Sequence, residues 1–335
     1  MGPQDDIRQI KEAHKEELLT RPNVIGVGVG YKVRGSVRTD ELCVVAMVRQ
    51  KLGESALRPG DMVPSSLDGA LTDVIQVGDL RALQARTDRW RPAPGGVSIG
   101  HYRITAGTLG VVVRDRTSGA RLILSNNHVL ANSNDAAPGD PILQPGPADG
   151  GRVDSDTIAR LERFCPIEFG TQPGDCSIAD LYAAVGNVLA RAAGSSHRVA
   201  PVRLNPQAVN LVDAAVARPN SDADLREDIL EIGVISSTLP AELGMMVRKS
   251  GRTTALSAGQ ITVLDATVTV SYGVGRTARF ENQIVTTAMS QGGDSGSLLV
   301  AADGLQAVGL LFAGSDQSTI HSPIQAVLDC LDVTL

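Results

Sequence analysis

The chain has few aromatic residues, no excess of positive charge and no long apolar run. Aromatic side chains make up 3% of its 335 residues, so its cores must be built from valine, leucine, isoleucine and alanine. A formal net charge of −6 argues against nucleic-acid binding, which normally requires a basic surface. Because no apolar run reaches about 18 residues, we expect no membrane partner and no transmembrane helix.

Cysteine is also scarce, and its positions lack the spacing of a metal site. The four cysteines are Cys43, Cys165, Cys176 and Cys330. The first twenty residues lack the apolar core of a signal peptide, so we expect a cytoplasmic protein with reduced thiols. A bridge between Cys165 and Cys176 is the alternative, and it would require an oxidising compartment. We expect neither a metal nor another cofactor.

Glycine and β-branched residues are abundant, which favours turn-rich β structure. Residues 5–19 have the apolar spacing of a short amphipathic helix. Apolar runs at 24–33, 42–48 and 72–77 predict three strands, so residues 1–85 are interpreted as a small α/β domain that regulates access or mediates self-association. The run GVGVG at 26–30 resembles a nucleotide loop, but its glycines alternate at strand period and no helix follows directly. We therefore predict a strand there.

The rest of the chain is predicted to be β-rich. Residues 86–100 are interpreted as a Pro/Gly-rich linker, followed by one β-rich half at 101–235 and another at 236–335. Residues 132–199 are atypical of small strands, and residues 178–193 have helical periodicity. We expect an inserted loop and helix in the first half.

The segment GGDSGS at 292–297 is the most informative in the chain. A serine hydroxyl is a weak nucleophile that needs a base to take its proton. Gly293 and Gly296 permit a tight turn, which would direct the N–H groups of Gly293 and Ser295 toward one point and form an oxyanion hole. Structural glycine–serine turns are common, but GDSG directly before the apolar run at 298–300 is rarer. We predict Ser295 as the nucleophile.

A base for this serine is predicted at His128. This residue follows an apolar strand at 121–124 and lies in the segment NNHVL at 126–130. A lone histidine is more often structural than catalytic, and it is this sequence context that favours the catalytic interpretation.

The third member of the site is predicted at Asp213, within the apolar run at 209–217. Burying a carboxylate there is costly without a donor, and a histidine N–H would supply one. A solvent-facing aspartate is the alternative interpretation. The competing acids are Asp180, Asp175 and Asp154.

The order of these three residues along the chain and the sequences of their motifs resemble those of the chymotrypsin-like (trypsin-like) serine proteases. NNHV at 126–129 is similar to the bacterial HtrA-type branch, and RKSGRTT at 248–254 resembles the opening of the second barrel in bacterial secreted proteases such as α-lytic protease. The whole chain is most similar to bacterial relatives of the plant narrow-leaf trypsin-like proteins. The resemblance, specific over about residues 100–335, implies a mainly β, two-barrel fold with the triad at the barrel junction.

The chain departs from the family pattern in several places. The gap from His128 to Asp213 is 85 residues, which implies the insertion in the first barrel. Phe312 stands where many members have a serine that bonds the triad aspartate. In the bacterial branch, Asp294 would pair with a basic side chain at the position of Lys249, with Arg248 as substitute. Such an enzyme would need no activating cleavage.

The resemblance also places a substrate pocket. Met289 is expected near its base, with Phe312, Ala313 and Gly314 forming its wall strand. No acid falls at the base, so we expect a modest apolar residue before the cleaved bond rather than arginine or lysine.

These features predict a serine endopeptidase that acts on protein or peptide substrates through an acyl-enzyme. A catalytically weak interaction protein on a protease fold and an esterase using the same triad are the alternatives. Self-association through the N-terminal domain is a further expectation.

Overall fold

The computed structural model describes residues 2–78 and 84–335, apart from the side chain of Glu54. The chain divides into two compact units, Met1–Leu83 and Gln84–Leu335. Among the described residues, no helix is long and apolar enough to cross a membrane.

The N-terminal unit packs one helix on a four-stranded sheet. Its elements are helix α1 (Pro3–Leu19) and strands β1 (Val24–Arg34), β2 (Val37–Val48), β3 (Ser66–Leu67) and β4 (Ala70–Gln76), in the sheet order β1-β2-β4-β3. Proline in the first turn and two early aspartates suit the start of α1. Leu18 is fully buried against Val44 and Leu67. The predicted helix and the strand at 26–30 are confirmed.

The second unit begins with the strands of a first barrel. Its elements are β5 (Ala93–Gly95), β6 (Ser98–His101), β7 (Gly107–Thr108), β8 (Val111–Asp115), β9 (Arg121–Ser125), α2 (Asn127–Leu130), β10 (Pro141–Leu143), α3 (Val153–Asp156), β11 (Thr157–Phe164), β12 (Thr171–Pro173), α4 (Ser177–Ala192), β13 (Val202–Leu204), β14 (Ala215–Pro219), β15 (Leu225–Ile229) and β16 (Gly233–Val234). Because β5 and β6 lie at 93–101, the segment expected to be a linker supplies strands to this unit.

Antiparallel pairs close the first barrel into a ring of β6, β10, β11, β14, β9 and β8, with β7 leading into β8. Closure comes from β7 against β6 and from Leu109, whose backbone bonds Gly96 at 2.7 Å and Val97 at 2.9 Å. The three central residues of β9, at 122–124, are all apolar because both faces of the strand are buried. Ile123 points into this barrel, whereas Leu124 packs in the cluster shared with the second barrel.

Residues 237–323 supply the strands of the second barrel, and a helix and a strand that pairs with β8 of the first barrel follow them. In chain order these elements are β17 (Ser237–Thr238), β18 (Met246–Gly251), β19 (Ala255–Ser271), β20 (Thr277–Thr287), β21 (Leu298–Ala301), β22 (Gln306–Gly314), β23 (Ser318–Pro323), α5 (Ile324–Leu331) and β24 (Val333–Thr334). Strands β18, β19, β20, β23, β22 and β21 pair antiparallel in that cyclic order and return to β18. The mainly β, two-barrel fold class is confirmed.

The predicted inserted helix is present as α4, between the short strands β12 and β13. These two strands form a hairpin, and β12 pairs with β20 through Thr171 and Thr277. The insertion therefore lies within residues 101–235, the β-rich half predicted to form the first barrel, but it extends the sheet of the second barrel.

The prediction of four reduced thiols is wrong, because Cys165 and Cys330 are bonded as a disulfide. The weighed alternative, a bridge to Cys176, is wrong as well, since Cys176 is exposed and free. The bond joins the end of β11 to helix α5, which lies 165 residues away in the sequence. The spacing of the cysteines in the sequence did not predict this pairing, because the pairing depends on the return of the C-terminal segment to the first barrel, where β24 pairs with β8.

Candidate active site

His128 lies on the four-residue helix α2, directly after β9. Its Nδ1 is 2.7 Å from Asp213 Oδ2, and its backbone N–H donates to Asp213 Oδ1 at 3.2 Å. Asp213 is fully buried, whereas the His128 side chain is 24% exposed. The structure therefore brings these two predicted residues together and leaves one edge of the imidazole open to solvent. Because Nδ1 bonds the carboxylate, Nε2 is the nitrogen available to a nucleophile.

Tyr272 supplies a further donor to the same carboxylate. Its hydroxyl donates to Asp213 Oδ2 at 2.7 Å. Burial, and secondly the negative charge of Asp213, raise the pKa of Tyr272 well above its usual value, so the phenol keeps its proton. Tyr272 lies in the turn that joins β19 to β20.

Phe312 has no side-chain donor for Asp213, so the supporting hydrogen bond comes from Tyr272. The Phe312 ring packs against Phe280, with the ring centroids 4.7 Å apart. The cluster around it also contains Tyr272, so Phe312 contributes to the packing behind the site rather than to its hydrogen bonds.

Two asparagines before His128 fix the short helix. Asn126 Nδ2 donates to the Asp213 carbonyl at 2.7 Å, and Asn127 Nδ2 donates to the Cys165 carbonyl at 2.8 Å. Both side chains are fully buried. The asparagines in the predicted motif thus tie the histidine to its aspartate and to the end of β11.

The loop that carries Ser295 docks on strand β7 of the first barrel. The Thr108 N–H donates to the Ser295 carbonyl at 2.8 Å, and the Thr108 hydroxyl donates to the Gly293 carbonyl at 2.9 Å. A β-carbon at Gly107 would lie 3.0 Å from the Ser295 carbonyl oxygen and 2.5 Å from a methyl of Val129. Strand β7 thus holds the serine loop and the histidine helix next to each other.

The Ser295 loop presents backbone N–H groups that are free to bind a ligand. Gly293 and Gly296 have φ angles of +97° and +95°, which glycine adopts without steric cost. Within the described part of the chain, the amides of Gly293 and Ser295 donate to no protein acceptor. Such amides are what an oxyanion hole requires.

Asp294 is held beneath this loop by a buried ion pair. Lys249 Nζ lies 3.0 Å from Asp294 Oδ2, and both side chains are fully buried. Thr254 donates its hydroxyl to Oδ2 at 2.7 Å and its amide to Oδ1 at 3.1 Å. Burial opposes ionisation of Asp294, but the bonds from Thr254 and the Gln291 amide, together with Lys249, lower its pKa overall.

The structure thus places Lys249, the predicted partner, beside Asp294. Its predicted substitute, Arg248, points elsewhere, and one guanidinium nitrogen donates to the Gly304 carbonyl at 2.9 Å. Lysine and arginine are neighbours on β18, so their side chains leave opposite faces of the strand.

A pocket of about 340 Å³ opens beside Ser295. Ala313 and Gly314 line it, as expected for the wall strand. The other lining residues are Ser290, Gln291, Gly292, Leu311, Ser315 and Asp316. Among them, Asp316 carries the one charge, and it is exposed to solvent.

Two residues expected in this pocket lie behind it. Met289 packs in the core of the second barrel with Val247 and Ile261. Phe312 alternates with Leu311 and Ala313 on β22, so its side chain points to the other face of the strand. Counting positions along the chain located the wall but not which side chains face it.

A buried histidine lies next to the pocket. His321 on β23 pairs with Leu311 across the sheet, and neither ring nitrogen has a hydrogen-bond partner in the described residues. Burial, and secondly the charge of Lys249, lower the pKa of His321 to about 3, so the ring is neutral near pH 7.

Sequence reasoning missed Tyr272, Thr108 and the polar residues of the pocket. Tyr272 is 59 residues from Asp213, and a tyrosine in a hairpin turn carries no motif. Its rarity was the available signal, since the chain has only four tyrosines.

No protein-family model matches the chain. Among curated proteins, glutamyl endopeptidase 2 of Streptomyces griseus is 36% identical over 104 residues, which cover 30% of this chain and 53% of that protein. Serine protease 1 of Streptomyces fradiae is 31% identical over 104 residues, covering 30% of this chain and 28% of that protein. The chain thus spans about half the length of the first relative and less of the second.

Solved structures with similar folds include Nocardiopsis protease (NAPase), at 19% identity and a TM-score of 0.45, covering 72% of this chain and 97% of that one. Another is described as a glutamic acid specific serine protease that utilizes a novel histidine triad in substrate binding. It is 22% identical, with a TM-score of 0.45, and the match covers 72% of this chain and all of that one.

Two closed β-barrels, a histidine–aspartate pair at their junction and a GDSG loop docked between them define a chymotrypsin-like fold with its site. Over 104 residues the chain is also similar in sequence to the two Streptomyces proteases.

Proposed function

We propose that the chain is a serine endopeptidase. Ser295 attacks the carbonyl carbon of the substrate while His128 Nε2 takes the hydroxyl proton. Asp213 holds the imidazole by its Nδ1–H and stabilises the imidazolium that forms. The amides of Gly293 and Ser295 stabilise the oxyanion. His128 then returns the proton to the leaving amine, and water hydrolyses the acyl-enzyme by the same steps.

The observation that supports this proposal best is the buried Asp213 carboxylate bonded to His128. Burial of an ionised carboxylate is costly unless it is paired and hydrogen-bonded. Here three donors from His128 and Tyr272 converge on it. Since this arrangement fixes the tautomer and direction of an imidazole that is partly exposed, it suits general-base catalysis better than a structural role.

We propose a small or medium uncharged residue before the cleaved bond. A relative is named as a glutamyl endopeptidase, but the pocket lining has no cationic side chain to bind a glutamate, and Asp316 would repel one. Asp316 is exposed, so its attraction for a substrate cation is weakened by solvent.

Substrate preference can be measured with peptides that differ only at this residue. We expect alanine, valine and leucine to exceed glutamate, arginine and lysine in kcat/KM. Asp316→Asn should raise cleavage after glutamate and lower any cleavage after lysine, whereas strong cleavage after glutamate in the wild type would contradict the proposal.

We further propose that the enzyme is active without cleavage of its own chain. The Lys249–Asp294 pair supplies internally the cation that a newly formed N-terminus supplies in activated trypsins. N-terminal sequencing of active protein is the test, and a new terminus near Val97 would contradict it.

The sequence alone predicts a cytoplasmic protein. The Cys165–Cys330 bond instead favours an oxidising environment as the site of action. Mass spectrometry of non-reduced digests of the native protein should detect the Cys165–Cys330 peptide pair, and free thiols at both positions would restore the original expectation.

The peptidase proposal itself is tested with purified full-length protein and an unfolded protein substrate. Ser295→Ala should lower kcat for hydrolysis by about six orders of magnitude. Ser196→Ala, on an exposed loop, should leave kcat unchanged. Hydrolysis of small esters without hydrolysis of peptides would favour the esterase alternative. No hydrolysis of either would favour an interaction protein.

A further inference from the structure

The two glycines before Asp294 lie in a turn whose middle peptide has two possible directions. The Asp294 N–H donates to the Gln291 carbonyl at 3.0 Å, which closes a β-turn over residues 291–294. Gly293 has a φ of +97°, as the third residue of a type II turn requires. A type I turn closes the same four residues with the middle peptide turned over and a φ of about −90° at the third residue. Because glycine adopts either sign of φ, this sequence permits both turns.

The direction of the middle peptide decides whether the oxyanion hole is formed. A planar trans peptide points its carbonyl and its N–H to opposite sides. The Gly292 carbonyl accepts a hydrogen bond from the Thr253 hydroxyl at 2.8 Å, so the Gly293 N–H points away from Thr253. Gly292 and Ser295 both line the pocket, and Thr253 does not. In the type I turn, the carbonyl would take the place of the N–H that the hole requires.

The next two peptides of the loop are each fixed by two bonds. The peptide before Asp294 uses its N–H within the turn and its carbonyl with the Thr108 hydroxyl. The Asp294 carbonyl accepts from the Ser297 N–H at 3.0 Å and from the Ser297 hydroxyl at 2.6 Å. Among the described residues, the Gly292 carbonyl accepts from Thr253 alone. The middle peptide of the turn therefore depends on one side chain for its direction.

The Thr253 hydroxyl is itself oriented by Arg252. Arg252 Nη1 donates to Thr253 Oγ1 at 3.1 Å, which leaves the hydroxyl proton free to point at the Gly292 carbonyl. The guanidinium is held by Asp149 of the first barrel, whose carboxylate accepts from Nε at 2.6 Å and also from Nη2. A β-carbon at Gly293 would lie 2.6 Å from both Arg252 Nη1 and Thr253 Oγ1, so the turn packs directly on this donor.

We propose that Thr253 is a positioning residue that selects the type II turn and thereby forms the Gly293 half of the oxyanion hole. Its hydroxyl stabilises the direction in which the Gly293 N–H faces the substrate carbonyl, and Arg252 and Asp149 hold that hydroxyl in place. The importance of this role for turnover rests on the proposed peptidase function, whereas the direction of the peptide can be observed without any activity.

Turnover of a peptide substrate by the full-length chain measures the consequence for catalysis. Thr253→Ser keeps the hydroxyl and should retain most of kcat. Thr253→Asp places an ionised acceptor there, which repels the Gly292 carbonyl and can accept the N–H of the turned peptide. Its kcat should fall by about 10²-fold, as for the loss of one oxyanion donor, with KM little changed. Thr253→Val, which offers neither donor nor acceptor, should lie between these two variants.

The matched control is Thr262→Asp. Thr262 is an exposed threonine on β19 whose hydroxyl also donates to a backbone carbonyl, that of Val285, at 3.2 Å. The variant adds the same charge and removes a bond of the same kind outside the site, so its kcat should equal that of the wild type. A kcat of Thr253→Asp equal to that of an active wild type would overturn the proposal.

Crystal structures of the same variants show the direction of the peptide independently of activity. Thr253→Asp should have the Gly292 carbonyl turned toward the pocket and a negative φ at Gly293. The wild type, Thr253→Ser and Thr262→Asp should all keep the positive φ. An unchanged turn in Thr253→Asp would overturn the proposal. An inactive wild type would contradict the peptidase function instead, and a turned peptide in Thr253→Asp would still support the positioning role of Thr253.

Discussion

Two fully buried aspartates, Asp213 and Asp294, lie in the same site but are stabilised differently. Asp213 receives bonds from a histidine and a tyrosine, and the His128 side chain remains 24% exposed. Asp294 accepts hydrogen bonds from Lys249, Thr254 and backbone amides, and the lysine side chain is fully buried with it. In the proposed mechanism, one carboxylate supports a proton carrier that reaches solvent, while the other fixes the shape of the loop around the nucleophile.

The largest expected effect comes from neutralising the first carboxylate. Asp213→Asn should lower kcat by about 10⁴-fold, because the imidazole would lose its favoured tautomer and the stabilisation of its cation. Steady-state hydrolysis of a peptide substrate measures the effect. The three exposed competing acids are the controls, and Asp154→Asn, Asp175→Asn and Asp180→Asn should behave as wild type. A similar loss in any of them would show that the third residue was wrongly assigned.

Removing the partner of the second carboxylate should act mainly on stability. Lys249→Met would leave Asp294 buried beside a neutral side chain and should destabilise the fold by about 3 kcal/mol, since breaking a buried pair costs roughly 3–5 kcal/mol and other donors remain. Urea unfolding measures this change. The double variant Lys249→Met with Asp294→Asn should recover part of the loss, and no recovery would argue against a direct pair.

Residues that belong to short sequence motifs could be predicted, whereas residues that meet only through tertiary contacts could not. His128 and Ser295 each lie in a short motif, and apolar runs at 121–124 and 298–300 indicated the strands beside them. The Lys249–Asp294 pair joins residues 45 positions apart and came from the family resemblance. Tyr272 and the Cys165–Cys330 bond connect residues distant in sequence, so no local pattern predicts them. Met289 does not line the pocket as expected, because a position in the chain does not give the direction in which its side chain points.

The charge that holds Asp294 also contributes to the low pKa of a second buried group, His321. The unfolded chain binds a proton at His321 below about pH 6.5, whereas the folded chain does so only below about pH 3. Stability should therefore fall by about 1.4 kcal/mol per pH unit between these limits as pH decreases.

Comparison of unfolding free energies from pH 7 to 4 isolates this contribution. His321→Phe should reduce the slope by about 1.4 kcal/mol per pH unit, and His197→Gln on an exposed loop should leave it unchanged. An unaltered slope in His321→Phe would show that this ring is already protonated, or accessible to protons, in the folded protein.

The smallest expected effect tests how Asp213 is positioned. Tyr272→Phe removes one hydrogen bond to a charged group and should lower kcat by roughly tenfold, with KM little changed. Tyr31→Phe in the N-terminal unit is the control and should leave kcat unchanged. A kcat of Tyr272→Phe equal to that of the wild type would contradict the positioning role.

Labelling with a fluorophosphonate probe tests the central claim most directly. The intact, uncleaved chain should react at Ser295, and labelling should disappear in both Ser295→Ala and His128→Ala because the serine is activated only by this histidine. Labelling that persists in either variant, or an intact wild type that does not react, would contradict a preassembled catalytic site.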